Sequence, residues 1–256
     1  MRKILMKSRH GLLLALLCLS VSALQAQVKN IVLVHGSFAN GSGWEGVYKA
    51  LVKKGYNVSV ATNPNLGFEG DVAAVMRTID RIEGPVLLVG HSYGGAVVTE
   101  AGNHEKVKGL VYVDAFVPAE GETLAQLLQS GPPNPDFSVL PPDANGFVWF
   151  DRARYHANFC ADLSKELAAF MADSQIPING AAFGASVKQA AWKSKKSRYV
   201  VGTEDKTIVP DGQRAMAKRA GATITELKGS HCVFISKPVE VAKVIETAAA
   251  ALKVIC

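Results

Sequence analysis

The chain of 256 residues has only four cysteines, and one of them, Cys18, lies inside an apolar N-terminal stretch. The other three, Cys160, Cys232 and Cys256, show no metal-ligand spacing, so a zinc site and a disulfide-stapled mini-scaffold are both excluded as the basis of the fold. A single disulfide is permitted in an oxidising compartment, with the pair left open. No internal repeat and no low-complexity tract is present, which sets aside solenoids and disordered arrays. The glycine-rich stretch from Gly36 to Gly43 is not followed by Gly-Lys-Ser or Gly-Lys-Thr, which excludes a phosphate loop. Long apolar runs are also scarce: the run from Gly11 to Val21 is short for a membrane span.

What that run does fit is a secretory signal. Arg2, Lys3, Lys7 and Arg9 form a positive region before it, and Ala26 offers a small residue for cleavage, so residues 1–26 read as a signal peptide. Leu17 stands before Cys18 where a lipoprotein signal requires a small residue. The expectation is an exported product, periplasmic or secreted, without a stable membrane anchor. Loss of the four basic residues lowers the formal charge from +6 to +2, so the basic balance belongs mostly to the signal. Lys188, Lys193, Lys195, Lys196 and Arg198 cluster around Trp192. A charge run of this kind beside a strand is a solvated face, and no nucleic-acid partner is expected.

The remaining residues, 27–256, suit one large α/β domain. Short apolar runs recur at Ile31–Val34, Val58–Ala61, Val86–Val89, Leu110–Val113, Tyr199–Val201 and Ile224–Leu227. Most are continuous, as in parallel strands covered on both faces. Helical spacing lies between them: Trp44, Val47, Tyr48 and Leu51; then Val72, Val75, Met76, Ile79 and Ile82; and, after Pro238, Val241, Val244, Ile245 and Leu252. The alternation predicts an open, mostly parallel, doubly wound sheet of the α/β class. It breaks from about 118 to 194, where proline and glycine loops mix with a helical stretch at Leu163–Ala172, and this segment reads as a small inserted cap. The cap is rich in aromatics. Trp149, Phe150 and Phe159, with Phe38 outside it, are candidates for an apolar substrate pocket.

Gly90-His91-Ser92-Tyr93-Gly94 follows a buried-strand run and precedes a helix-forming stretch, the strand-turn-helix setting of a nucleophile elbow. A serine needs a base within hydrogen-bond reach and a third group to orient that base, following in the order serine, acid, histidine. His231, in a loop after the last strand run, is the candidate base. Asp205, deep in the turn after Tyr199–Val201, is the candidate acid, with Glu204 and Asp114 as rivals. The oxyanion of acyl transfer needs N–H donors. Tyr93 supplies one, and the loop after the first strand run the other, with Ser37 first and Phe38 second.

With these residues in view, the chain resembles the α/β-hydrolase superfamily, in the compact branch of plant methylesterases, salicylate-ester hydrolases and hydroxynitrile lyases. The motifs that carry it are Val32-Leu33-Val34-His35-Gly36 with Trp44, Gly-His-Ser-Tyr-Gly-Gly at 90–95, Val113-Asp114-Ala115, Gly202-Thr203-Glu204-Asp205 and Gly229-Ser230-His231. The resemblance implies the α/β-hydrolase fold and a serine hydrolase of carboxylic esters. It assigns Ser92 as nucleophile, Asp205 as acid, His231 as base, and the Ser37 and Tyr93 amides as oxyanion hole. It implies no metal or cofactor, and a small or medium, largely apolar ester as partner. The lyases of this branch carry lysine after the catalytic histidine, where this chain has Cys232, and dehalogenases carry aspartate at the elbow, where it has Ser92. Lyase or carbon–carbon bond cleavage on the same fold, and a non-catalytic binding protein, are the alternatives.

Overall fold

A computed structural model describes residues 25–255, position 132 excepted. Ten strands occur in it: β1 (Gln25–Gln27), β2 (Asn30–Val34), β3 (Asn57–Ala61), β4 (Val86–His91), β5 (Val107–Val113), β6 (Phe147–Val148), β7 (Ile178–Asn179), β8 (Lys196–Gly202), β9 (Thr223–Leu227) and β10 (Lys253–Ile255). All six apolar runs become strands of one sheet, in the order β3-β2-β4-β5-β8-β9 and parallel throughout. The doubly wound expectation is therefore borne out. The chain steps from β2 to one side for β3 and then crosses to the other side for β4. That reversal opens a crevice at the carboxyl ends of β2 and β4, the place where such sheets hold their ligands.

The helices are α1 (Glu45–Lys53), α2 (Phe68–Asp80), α3 (Tyr93–Ala101), α4 (Leu124–Gln129), α5 (Arg152–Arg154), α6 (Lys165–Asp173), α7 (Pro210–Arg219), α8 (Val233–Ser236) and α9 (Pro238–Ala251). Alternation along the strands divides the core into two layers. Val32, Val34, Leu88 and Tyr112 face α2 and α3, while Ile31, Leu33, Leu87, Val89 and Val111 face α1, α8 and α9. Trp44 stands before α1 rather than in it, and Tyr48 of α1 is turned to solvent.

Residues 114–195 connect β5 to β8 and carry α4, α5, α6, the antiparallel pair β6 and β7, and a π-helical turn at Tyr155–Phe159. Cys160, just after that turn, forms a disulfide with Cys232, 72 residues on. Residues 1–24 of the segment read as a signal lie outside the described residues. Gln25 and Ala26 belong to β1, which pairs antiparallel with β10, so the anticipated cleavage bond after Ala26 falls within β1. Among the described residues no helix is long and apolar enough to cross a membrane.

Candidate active site

Ser92 occupies the turn between β4 and α3 with φ 53° and ψ −125°. A non-glycine residue reaches that conformation only where its surroundings enforce it. Here glycines permit the enforcement: a Cβ at Gly90 would lie 2.5 Å from the Gly94 carbonyl, and one at Gly94 would lie 2.6 Å from that of His35. The helix start therefore presses directly on the end of β2. Ser92 is 3% exposed, so the centre is enclosed.

His231 follows β9 and is wholly buried. Its Nδ1 donates to Asp205 Oδ2 at 2.7 Å, which leaves Nε2 as the acceptor nitrogen, without a partner among the described residues. Burial lowers its pKa to about 3, so the ring is neutral in the resting protein. Two rings hold it: that of His91, the residue before Ser92, at 4.7 Å between centroids, and that of Phe159 at 4.7 Å. His91 also donates from Nε2 to the His231 carbonyl at 2.8 Å. The cap fastens the same loop from outside. Asp162 accepts from Ser230 N–H at 3.1 Å, from the Ser230 hydroxyl, and from the Ser236 hydroxyl at 2.6 Å, while Cys232 carries the disulfide to Cys160.

Asp205 collects four donated hydrogen bonds: from Thr207 N–H at 2.7 Å, Ile208 N–H at 3.0 Å, Gln213 Nε2 at 2.7 Å and His231 Nδ1. Burial pushes its carboxyl up, and the two amides and Gln213 oppose that push. The rivals stand elsewhere. Glu204 is exposed beside Lys228 at 3.6 Å. Asp114 is buried near Asp205 but donates nothing to, and accepts nothing from, His231. The remaining described histidines have other partners: His35 with Gly36, His104 with Asp80, His156 with the Leu163 carbonyl.

Among the described residues, neither the Ser37 amide nor the Tyr93 amide donates a hydrogen bond, whereas Phe38 N–H is taken by the Ile176 carbonyl at 3.0 Å. This corrects the second candidate: Phe38 has no free donor, because the cap uses it. The hydroxyl of Tyr155 secures the other side of that residue, donating to the Phe38 carbonyl at 2.7 Å. Phe38, Phe150 and Phe159 come together, Phe150 lying 5.8 Å from Phe38 and 5.1 Å from Phe159 in edge-to-face contact. Trp149 does not join them and is corrected too. It follows β6, where successive side chains alternate, so Val148 and Phe150 turn inward and Trp149 is 39% exposed.

Several supporting residues escaped the reading of the sequence. Asp71 of α2 accepts the Tyr93 hydroxyl at 2.6 Å and Asn65 N–H at 2.7 Å, bracing the residue whose amide lies at the elbow. Its signal was its position four residues before Val75, a carboxyl on the apolar stripe of a helix. Gln213 gives the same signal before Met216 and Ala217 in α7. Nothing in the sequence marks Asp162. Among the described residues no cluster of histidine, cysteine and carboxylate is placed to hold a metal ion.

Residues 31–244 match the family model described as the alpha/beta hydrolase family. The chain belongs to that family. A carbendazim hydrolyzing esterase of Nocardioides sp. (strain SG-4G) is 36% identical to this alpha/beta hydrolase over 130 residues, 45% of this chain and 50% of the relative. The chain thus spans about half the length of that relative in the match. A putative methylesterase 12 of Arabidopsis thaliana is 23% identical over 256 residues, 86% of this chain and 71% of the relative. Among solved structures, a pyrethroid hydrolase from Sphingobium faniae JZ-2 superposes with a TM-score of 0.76 at 24% identity, covering 87% of this chain and 98% of that one. The likeness at that identity speaks for the fold of this alpha/beta hydrolase, which was the expectation from its motifs.

Proposed function

We propose that this alpha/beta hydrolase cleaves carboxylic esters through an acyl-enzyme on Ser92, with His231 as general base and acid and Asp205 as its orienting carboxylate. One observation carries the reading: His231 gives its Nδ1 proton to Asp205 and keeps an unpartnered, neutral Nε2, while its ring packs against His91, the residue before the enforced turn of Ser92. That is the protonation pattern a general base requires. In the first half-reaction Ser92 Oγ attacks the ester carbonyl, its proton passing to Nε2. The free amides of Ser37 and Tyr93 receive the developing oxyanion, each worth about 3 kcal/mol in comparable sites. Collapse expels the alcohol, which takes the proton from His231, and water then clears the acyl group by the reverse sequence. These steps draw on protein groups and water alone.

The enclosed centre and the buried Phe38, Phe150 and Phe159 favour a largely apolar ester of small or medium size. A groove of about 300 Å³ between Asn40–Gly46 and the cap, walled by Leu167, Phe170, Met171 and Ile235, lies just outside Tyr155 and is the approach we assign to it. Named activities of the relatives, an esterase and a pyrethroid hydrolase among them, support ester chemistry. Export is part of the same proposal: the Cys160–Cys232 disulfide suits an oxidising compartment. The test is turnover of p-nitrophenyl esters of increasing acyl length beside Ser92→Ala. Activity with an optimum length, lost in the variant, is expected. A silent panel with Ser92 also refusing a fluorophosphonate would overturn the reading, and turnover of a cyanohydrin in its place would point to the lyase alternative.

A further inference from the structure

Asp114 directly follows β5 with φ 44°, a left-handed conformation that a residue with a side chain holds only under constraint. That conformation lays its carboxyl against the turn after β8. Oδ1 accepts from Gly202 N–H at 2.5 Å, and a Cβ at Gly202 would stand 2.8 Å from the same oxygen. The side chain is wholly buried, yet Oδ2 has no hydrogen-bond partner among the described residues. A second buried oxygen nearby shares that condition. Gln213 Nε2 donates to Asp205 Oδ2 and to the Ile208 carbonyl, both at 2.7 Å. Both partners are acceptors, so the amide cannot be turned round, and Gln213 Oε1 is left without a donor. Gln213 is among the side chains that bear on the Asp114 carboxyl, and with both orphaned oxygens acting as acceptors no hydrogen bond joins them. Two buried acceptors lacking donors are an expensive arrangement, and one proton on Asp114 Oδ2 resolves both.

We propose that Asp114 is a neutral carboxylic acid donating to Gln213 Oε1, so that Asp114, Gln213, Asp205 and His231 form one hydrogen-bonded chain. Asp114 is then a positioning residue. It holds the glutamine, and the glutamine holds the carboxylate that orients the base; this rests on the assignment of Asp205 and His231 made above. The division of charge follows from the surroundings. Two carboxyls sharing an enclosed space do not both ionise, and Asp205 with four donors takes the charge that Asp114 with one donor cannot. The groups facing Asp114 supply no cation: Asp205 beyond β8, Asp162 from the cap, Tyr199 of β8, and the neutral His231.

The experiment compares the wild-type chain with Asp114→Ala, Asp114→Asn and Ser92→Ala. Infrared difference spectra at neutral pH should show the carbonyl stretch of a protonated acid in the wild type and in Ser92→Ala, and not in Asp114→Asn. The rate at which a fluorophosphonate labels Ser92 should fall about tenfold in Asp114→Ala, the effect of one lost buried hydrogen bond. Asparagine accepts from Gly202 and donates to Gln213 as the neutral acid does, so Asp114→Asn should recover most of that rate. Its labelling should also persist to higher pH, because it has no proton to lose. Absence of the acid band, or an Asp114→Asn as slow as Asp114→Ala, overturns the proposal. If Asp114→Ala does not fold, the band and the pH limb of Asp114→Asn decide. The two readings separate in the wild type: the acid band in a chain that hydrolyses no ester leaves Asp114 neutral and overturns the ester hydrolase alone. The same band in Ser92→Ala shows that Asp114 is neutral whether or not the nucleophile is present.

Discussion

At the residue scale, two adjacent carboxylates are told apart by what donates to them. Glu204 and Asp205 were equal in type and one position apart. Four donors converge on Asp205, while Glu204 meets only solvent and Lys228. Asp205→Asn should therefore lower kcat on the order of 10³–10⁴-fold, through loss of the orienting charge, and Glu204→Gln should leave it within about twofold. Steady-state kinetics on any ester that is turned over checks both. The burial of His231 sets the pH dependence. Its pKa is held well under the ordinary 6.5, at about 3, so the base stays neutral as pH falls through 6.5. The acid limb of kcat/KM should accordingly lie below pH 6.5, and a limb at or above that value would show an exposed imidazole. Ser92 and His231 could be named as candidates from the sequence because their motifs are local. Trp149 was misread because composition marks a residue as aromatic and only strand register decides which face it takes.

At the element scale, the cap is fastened to the core at the two loops that flank the candidate site. Ile176 and Tyr155 grip Phe38 in the loop after β2, and Phe159, Cys160 and Asp162 grip the histidine loop after β9. The disulfide should contribute about 2–4 kcal/mol by restricting the unfolded chain. Reductant, or Cys160→Ser with Cys232→Ser, should lower the melting temperature, and equal melting curves with and without reductant would deny the contribution. Tyr155→Phe removes the only described donor to the Phe38 carbonyl and should reduce kcat more than it changes KM, since the adjacent Ser37 amide loses its brace. None of these clasps could be read from the sequence. Each joins residues tens of positions apart, and hydrophobic spacing describes only neighbours along the chain.

At the scale of the whole molecule, stability follows from buried groups that resist their ordinary charge. Burial lowers the pKa of His35, His91 and His231, so the unfolded chain binds protons that the folded one refuses; their contribution is full above pH 6.5 and is lost as pH falls below it. Asp71 and Asp114 are raised, chiefly by burial; their contribution is present below pH 3.8 and is lost as pH rises through their folded values. The melting temperature should therefore gain from the histidines as pH rises to 6.5 and lose from the raised carboxyls as pH rises above 3.8, and Asp114→Asn should lose less. A melting profile of that variant parallel to the wild type would contradict the assignment. The sequence by itself determined the class of fold, the order of its strands along the chain, the elbow turn and the serine and histidine proposed for the site, because local spacing and glycine-bound turns carry that information. The tertiary structure decided the rest: which carboxylate meets the His231 ring, which amides remain free, which cysteines pair, and that a second buried acid stands behind the first. Those outcomes depend on burial and on donors brought together from distant segments, and neither exists until the chain has folded.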